Sequence, residues 1–156
     1  MDGSLYMGRW RVVDEIKQVP SRIDLDTCTA YHERTLGSRI LEKLTGYRSV
    51  RLHHINRPDH DRDLHNHPFE YRTFICNGWY SEVYANAPSR EEWDYRFLFK
   101  GDSGVGSNTK WHRIDWVSAG GVWTLFCMTE NTEEWGFDTP DGYVESREYF
   151  RRRGYD

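Results

Sequence analysis

The sequence predicts an all-β chain, a sandwich or barrel of short strands with one helix ahead of them. Three observations point there. Aromatic residues make up 15% of the 156 residues, against 37% for all apolar types, and rings suit pleated sheets. From Tyr47 onward, short alternating runs are separated by turns rich in glycine or proline, the pattern of a sandwich or barrel. Helical spacing shows at Leu36, Ile40, Leu41 and Leu44, with Gly46 as a stop.

A chain of this length forms one domain with one sizeable core. Residues 1–156 therefore read as a single domain, with an N-terminal extension carrying the helix over 1–46 and a barrel over 47–150. Met1 to Gly8 reads as frayed. Trp10 to Ile16 reads as a short strand, broken at Val19-Pro20-Ser21, and Tyr31 to Leu44 as the helix. Tyr47 to Asn56 alternates, with Val50, Leu52 and His54 on one face and Arg51, His53 and Ile55 on the other. Arg57 to Asp63 is a polar loop. Phe69 to Cys76 and Trp79 to Tyr84 are strands joined at Asn77-Gly78, the pair a type I′ hairpin turn favours. Ala85 to Glu92 is a loop, Tyr95 to Lys100 a strand, and Gly101 to Asn108 a glycine-rich turn region. His112 to Val117 is a strand. Val122 to Thr129 is apolar enough to be buried on both faces. Trp135 to Phe137 and Tyr143 to Phe150 close the chain, the latter passing from strand into a short helix.

The net charge of −4 gives no basic field for nucleic acid. Arg48, Arg51, Arg57, Arg62 and Arg72 nonetheless crowd one stretch. Three cysteines, Cys28, Cys76 and Cys127, are odd in number and lack a CxxC, which fits a reduced, cytoplasmic protein. No apolar run approaches membrane-spanning length and no signal peptide is evident. Neither a membrane nor a nucleic acid is expected as partner.

The chemistry concentrates at Leu64-His65-Asn66-His67-Pro68-Phe69-Glu70-Tyr71. Side chains at i and i+2 of an extended segment share a face, so His65 and His67 present two imidazoles to one point. His112, beside a later strand, offers a third. Neutral imidazole is a ligand for iron, nickel, copper and zinc, and three on neighbouring strands make a set that leaves positions open. The alternative is a strand end capped by histidines in a stretch that also holds His53, His54 and His60.

These residues resemble the cupin superfamily. His65-x-His67-Pro68 followed by Gly78 is similar to the first cupin motif. His112 after Gly104 and Gly106 is similar to the second, without its usual Pro-x-Gly. The resemblance covers roughly Val50 to Met128. The tail from Glu134 to Gly142 resembles that of a bacterial and phage subset of small single-domain cupins. The resemblance implies a double-stranded β-helix, the RmlC-like jelly roll, with a divalent metal inside. Iron(II) comes first, with manganese, nickel or zinc as alternatives. It implies His65, His67 and His112 as ligands, and places Tyr71 where the motif has its carboxylate. Known cupins include dioxygenases, isomerases, decarboxylases and binding proteins.

The hairpin pairing sets Thr73 opposite Glu82, and opposed residues share a face. Glu82 is therefore expected to point inward with Tyr71, as fourth ligand or as general acid/base with a carboxyl pKa raised by burial. A solvated surface glutamate is the alternative. Tyr71 and Tyr84 become cross-strand neighbours able to hydrogen-bond a substrate. Arg51 and Arg72 are candidates to clamp a carboxylate or phosphate, and Trp123 to wall the pocket. The expected function is a metal-dependent enzyme acting on a small molecule, an Fe(II) dioxygenase first and an isomerase or hydrolase second. The rival is a non-catalytic cupin binding an anionic ligand such as a nucleotide or sugar. A homodimer through an exposed strand at Tyr47 to Asn56 is a further expectation.

Overall fold

The computed structural model describes residues 6–24, 29–59, 63–86, 93–131 and 134–154, and side chains there outside 18–32. The sequence readings on Cys28, His60 and Arg62 fall outside these residues. The strands are β1 (Met7–Val13), β2 (Ile16–Asp24), β3 (Thr29–Arg34), β4 (Ser49–Ile55), β5 (Leu64–His65), β6 (Tyr71–Asn77), β7 (Trp79–Ala85), β8 (Asp94–Phe99), β9 (Ser103–Gly106), β10 (Trp111–Val117), β11 (Val122–Met128), β12 (Gly136–Thr139) and β13 (Gly142–Glu145). Helix α1 (Leu36–Thr45) precedes β4, and α2 (Ser146–Arg152) ends the described chain.

Two antiparallel sheets face each other. One runs β1-β4-β11-β6-β9 and the other β13-β12-β5-β10-β7-β8, while β2 and β3 form a separate ribbon. Neighbours within a sheet are mostly distant in sequence, and the chain passes repeatedly from one sheet to the other. This is the double-stranded β-helix, or jelly roll, that the resemblance implies. Ile55, Ile75, Tyr80, Leu98, Ile114 and Val122 fill the space between the sheets. Burying such side chains contributes about 1.5–3 kcal/mol each. Phe137, Val144 and Tyr149 form a second cluster that docks α2. There the rings of Phe137 and Tyr149 stack at 3.6 Å.

The structure corrects several expectations. Asn77-Gly78 does not close a hairpin. Gly78 has the positive φ of 80° that the pair signals, but β6 bonds to β11 and β9, and β7 to β10 and β8. With both edges of each strand taken, the turn carries the chain from one sheet to the other. It is tightly packed: a Cβ at Gly78 would lie 2.6 Å from the Gly121 carbonyl oxygen. The helix begins later than expected, and Tyr31 belongs to β3. Thr35 decides this start, its hydroxyl accepting from Ser38 N–H at 3.0 Å as an N-cap. Gly46 stops the helix in the left-handed conformation, as expected. Pro20 does not end β2, where a register shift between Gln18 and Ile23 accommodates it. The N-terminal β1 pairs with β4 along the barrel sheet. Consequently β4 has neighbours on both sides and offers no free edge for a dimer. In β11, Val122 and Thr124 are buried while Trp123, Leu125 and Cys127 are half-buried, so its two faces differ.

Candidate metal centre

Strand β5 is two residues long and sits between β10 and β12. The register sets His65 opposite His112 on one side and Phe137 on the other. Cross-strand partners share a face, so the two imidazoles meet, with ring centroids 4.8 Å apart. His67 lies two residues on. Its ring is 5.1 Å from that of His65 and 5.1 Å from that of His112. Between the two histidines, Asn66 turns away. Its Nδ2 donates to Asn108 O at 2.9 Å and its Oδ1 accepts from Gly136 N at 2.9 Å. The asparagine thus pins the histidine turn to two other segments. The sequence reading passed it over, although the same alternation that brings His65 and His67 together sends Asn66 outward.

One nitrogen from each of the three histidines lies within 4.8 Å of the others. The Nε2 atoms of His67 and His112 are 2.9 Å apart. On its far side, His112 Nδ1 lies 2.8 Å from Glu82 Oε2. An ionised carboxylate only accepts, so Nδ1 carries the proton and Nε2 presents a lone pair to the cluster. Arg96 Nε donates to the other Glu82 oxygen. Glu82 is 1% exposed. Burial pushes its carboxyl up, but the bond and charge of His112 and the Arg96 guanidinium together outweigh this and hold it below the usual value. The expected raised pKa is therefore reversed. Glu82 does point inward, yet for a different reason from the predicted hairpin: it faces Tyr71 across the barrel. Its carboxylate stands behind His112 and is not one of the clustered donor atoms.

Tyr71 reaches in from the opposite sheet, its hydroxyl 3.2 Å from His112 Nε2. Burial, and then the Glu82 charge, raise its phenol pKa well above the ordinary value. It stays a neutral donor at physiological pH. Its ring lies across Gly106 of β9, where any Cβ would overlap it. Burial lowers the His65 pKa to about 4, with the His112 charge adding to the effect. Burial likewise holds His67 well below its usual value, followed by the charges of His112 and His65. Both rings are neutral at pH 7, the form that binds metal.

The triad opens into a cavity of about 640 Å³ whose walls include Tyr71, Phe126, Trp135, Phe137, Arg51 and His53. Arg51 thus lines the cavity as expected of a substrate-binding residue. Arg72 does not: it lies on the outer face of β6, 6.0 Å from the Phe74 ring centroid. Tyr84 is not a neighbour of Tyr71. It pairs with His112 in the other sheet, under Arg96 and Lys110 at 5.2 and 5.5 Å from its centroid. Trp123 lies on the outer face, stacked on His54 at 4.3 Å and Trp10 at 5.3 Å. The sequence reading missed His53, Arg9 and Arg57 of the cavity wall, and Arg96 behind Glu82. Alternation in β4 already puts His53 on the face of Arg51, which was the available signal.

The donor set fits a divalent transition metal. Three imidazoles converge, and His112 has its second nitrogen held by a carboxylate. Two donors each about 2.1 Å from one ion stand roughly 3–4 Å apart, close to the spread seen here. Fold and site together define a jelly-roll protein with a three-histidine candidate metal centre.

No protein-family model and no curated protein sequence matches the chain. Similar solved structures include a candidate mannose-6-phosphate isomerase from Ralstonia eutropha JMP134, with 14% identity over 53% of this chain and 74% of that one, TM-score 0.43. Hydroxypropylphosphonic acid epoxidase from S. wedmorenis is 14% identical over 53% of this chain and 42% of its own, TM-score 0.40. Oxalate decarboxylase from Bacillus subtilis, in a structure concerned with its Mn(II) centres, is 11% identical over 62% of this chain and 23% of its own, TM-score 0.43. The chain spans less than half the length of these last two. No described helix is long and apolar enough to cross a membrane.

Proposed function

We propose that the protein is a metal-dependent cupin-type enzyme acting on a small molecule. The observation that carries this is the convergence of His65, His67 and His112, one nitrogen each within 4.8 Å, at the wall of a 640 Å³ cavity. These three side chains would hold the ion, with Fe(II) as first choice and Mn(II), Ni(II) or Zn(II) as alternatives. When bound, the ion supplies Lewis acidity or oxygen activation at positions the protein leaves open.

The remaining residues act as follows. Glu82 fixes the His112 tautomer by holding the Nδ1 proton, and Arg96 fixes Glu82. Both are positioning residues, so the part assigned to Glu82 shifts from ligand or acid/base to support. Tyr71 offers its Oη–H to a substrate oxygen beside the three nitrogens. Phe126, Trp135 and Phe137 exclude water around the reacting atoms. Oxygenase chemistry is the first reading, and isomerase or hydrolase chemistry the second. Arg51 on the cavity wall favours an anionic substrate and equally suits the rival, a binding module without catalysis. Free Cys76 and Cys127 support a cytoplasmic setting. Homodimerisation remains part of the proposal only through surfaces other than β4.

Metal analysis separates these readings. Protein purified without chelators should carry near-stoichiometric transition metal, and His67→Ala should lose most of it. Equal content in the two samples sinks the metal centre and leaves the binding module.

A further inference from the structure

The cavity has a second polar wall. On the inner face of the first sheet, Arg9 of β1 stands opposite His53 of β4, and Arg51 lies two residues before His53. Arg57, just past β4, joins them in lining the cavity. Among the described residues no carboxylate pairs with Arg9, Arg51 or Arg57 within ion-pair distance. Asp59 also lines this cavity, but it is committed elsewhere: it accepts from the Tyr6 hydroxyl, and from Ile114 N–H at 2.8 Å.

Several polar atoms of this wall lack hydrogen-bond partners, although Arg9 Nε donates to Met7 Sδ at 3.1 Å and the Arg57 guanidinium lies 5.4 Å over the Tyr6 ring centroid. His53 is 7% exposed and its Nε2 has no hydrogen bond, and neither do Nε and Nη1 of Arg57. Leaving a buried polar group unmatched costs about 1–3 kcal/mol, and folds retain such groups where a ligand completes them. Among the described residues the charge at Arg51 is offset only by Asp14, which acts more weakly than the neighbouring cations. Burial, and then the nearby Arg9 and Arg11 charges, lower the Arg51 pKa. Burial, followed by Arg9 and Arg51, lowers His53 to about 4. His53 is therefore neutral at pH 7 and leaves the arginines as the local cations. Among the described residues no lysine lines this wall, and guanidinium matches a planar or tetrahedral oxyanion with paired donors.

We infer that Arg9, Arg51 and Arg57, with His53, form an oxyanion subsite for a substrate carboxylate or phosphate. The substrate then spans the cavity, with its charged group on the arginines and its reacting group at the three histidines. The inference rests on the metal-centre reading for the second half only; the anion subsite stands on the first sheet alone.

Inorganic phosphate is the probe, titrated calorimetrically into the full-length protein as purified, at low ionic strength. Wild type and His67→Ala should bind it with similar affinity. Arg51→Met and Arg9→Met should bind at least tenfold more weakly, and Arg51→Lys should fall between. Melting curves confirm that each variant is folded, and Arg9→Met serves if Arg51→Met is not. Metal content is measured on every sample and should be unchanged in the arginine variants. The subsite is overturned by the absence of saturable phosphate binding in wild type, or by undiminished binding in the folded arginine variants. Binding that vanishes in His67→Ala but survives in Arg51→Met also overturns it. The phosphate then sits on the metal, and the metal reading survives. Loss in the arginine variants from a wild type that carries no metal upholds the subsite and rejects the metal reading.

Discussion

The two ends of the cavity are built on opposite principles. At the histidine end the polar groups around His112 already have partners: Arg96 holds Glu82, Glu82 holds His112, and the His112 Nε2 faces His67 and Tyr71. At the arginine end His53 Nε2 and two nitrogens of Arg57 are left open. A bonded network fixes geometry before any ligand arrives. An unmatched wall gives up stability and gains it back on binding. The contrast separates a part of the protein that must be rigid to coordinate from a part that must be incomplete to recognise.

The largest break in this contrast comes from emptying the closed half. Glu82→Ala leaves Arg96 and His112 facing a void, and should cost about 3–5 kcal/mol of folding stability as read by urea unfolding. Metal affinity should drop about 10- to 100-fold. Glu82→Gln, which keeps an acceptor, should lose less of both. An unchanged metal affinity in Glu82→Ala would show that His112 needs no support.

Acid titrates both halves together. His53 and His65 have folded pKa values of about 4, against about 6.5 in an unfolded chain. Between those values the unfolded chain binds more protons, so stability falls as pH drops from about 6.5 to about 4. Each histidine contributes at most about 3 kcal/mol to the fall. His67, also held well below its ordinary value, adds to the fall; melting of chelator-treated protein across this window checks it, and His53→Phe should flatten the curve by about a third. A flat wild-type profile contradicts the buried neutral rings.

Gly106→Ala tests how closely the closed half is packed. The new methyl overlaps the Tyr71 ring, and overpacking of this kind costs about 1–3 kcal/mol. Thermal melting reads the cost, and metal content should change less than in Glu82→Ala. The smallest effect belongs outside the cavity. Arg72→Gln, on the outer face of the strand that carries Tyr71, should move stability by no more than about 0.5 kcal/mol and leave phosphate affinity unaltered. A loss like that of Arg51→Met would show that the open wall is not the source of anion binding.

The three histidines were legible because their signal is local. The spacing of His65 and His67 fixes a shared face whatever surrounds them, and His112 follows a glycine-rich turn into a strand. Glu82 was legible in direction but not in reason. Its inward face follows from period-two alternation, whereas its partner was set by sheet membership, which the Asn77-Gly78 signal does not encode. Arg51 and Arg72 looked alike in sequence. Alternation with the inward Tyr71 already turns Arg72 away, whereas only the pairing of β4 with β11 turns Arg51 toward the cavity.

By itself the sequence determined an all-β sandwich or barrel, the helix stop at Gly46 and the shared face of His65 and His67, because propensity, alternation and turn chemistry act over a few residues. The tertiary structure alone decided which strands share a sheet, that Glu82 and Arg96 stand behind His112, and that Arg9 and Arg57 join Arg51 and His53 on one wall of the cavity. Those placements depend on pairings between segments tens of residues apart, and the packing of two facing sheets selects among them.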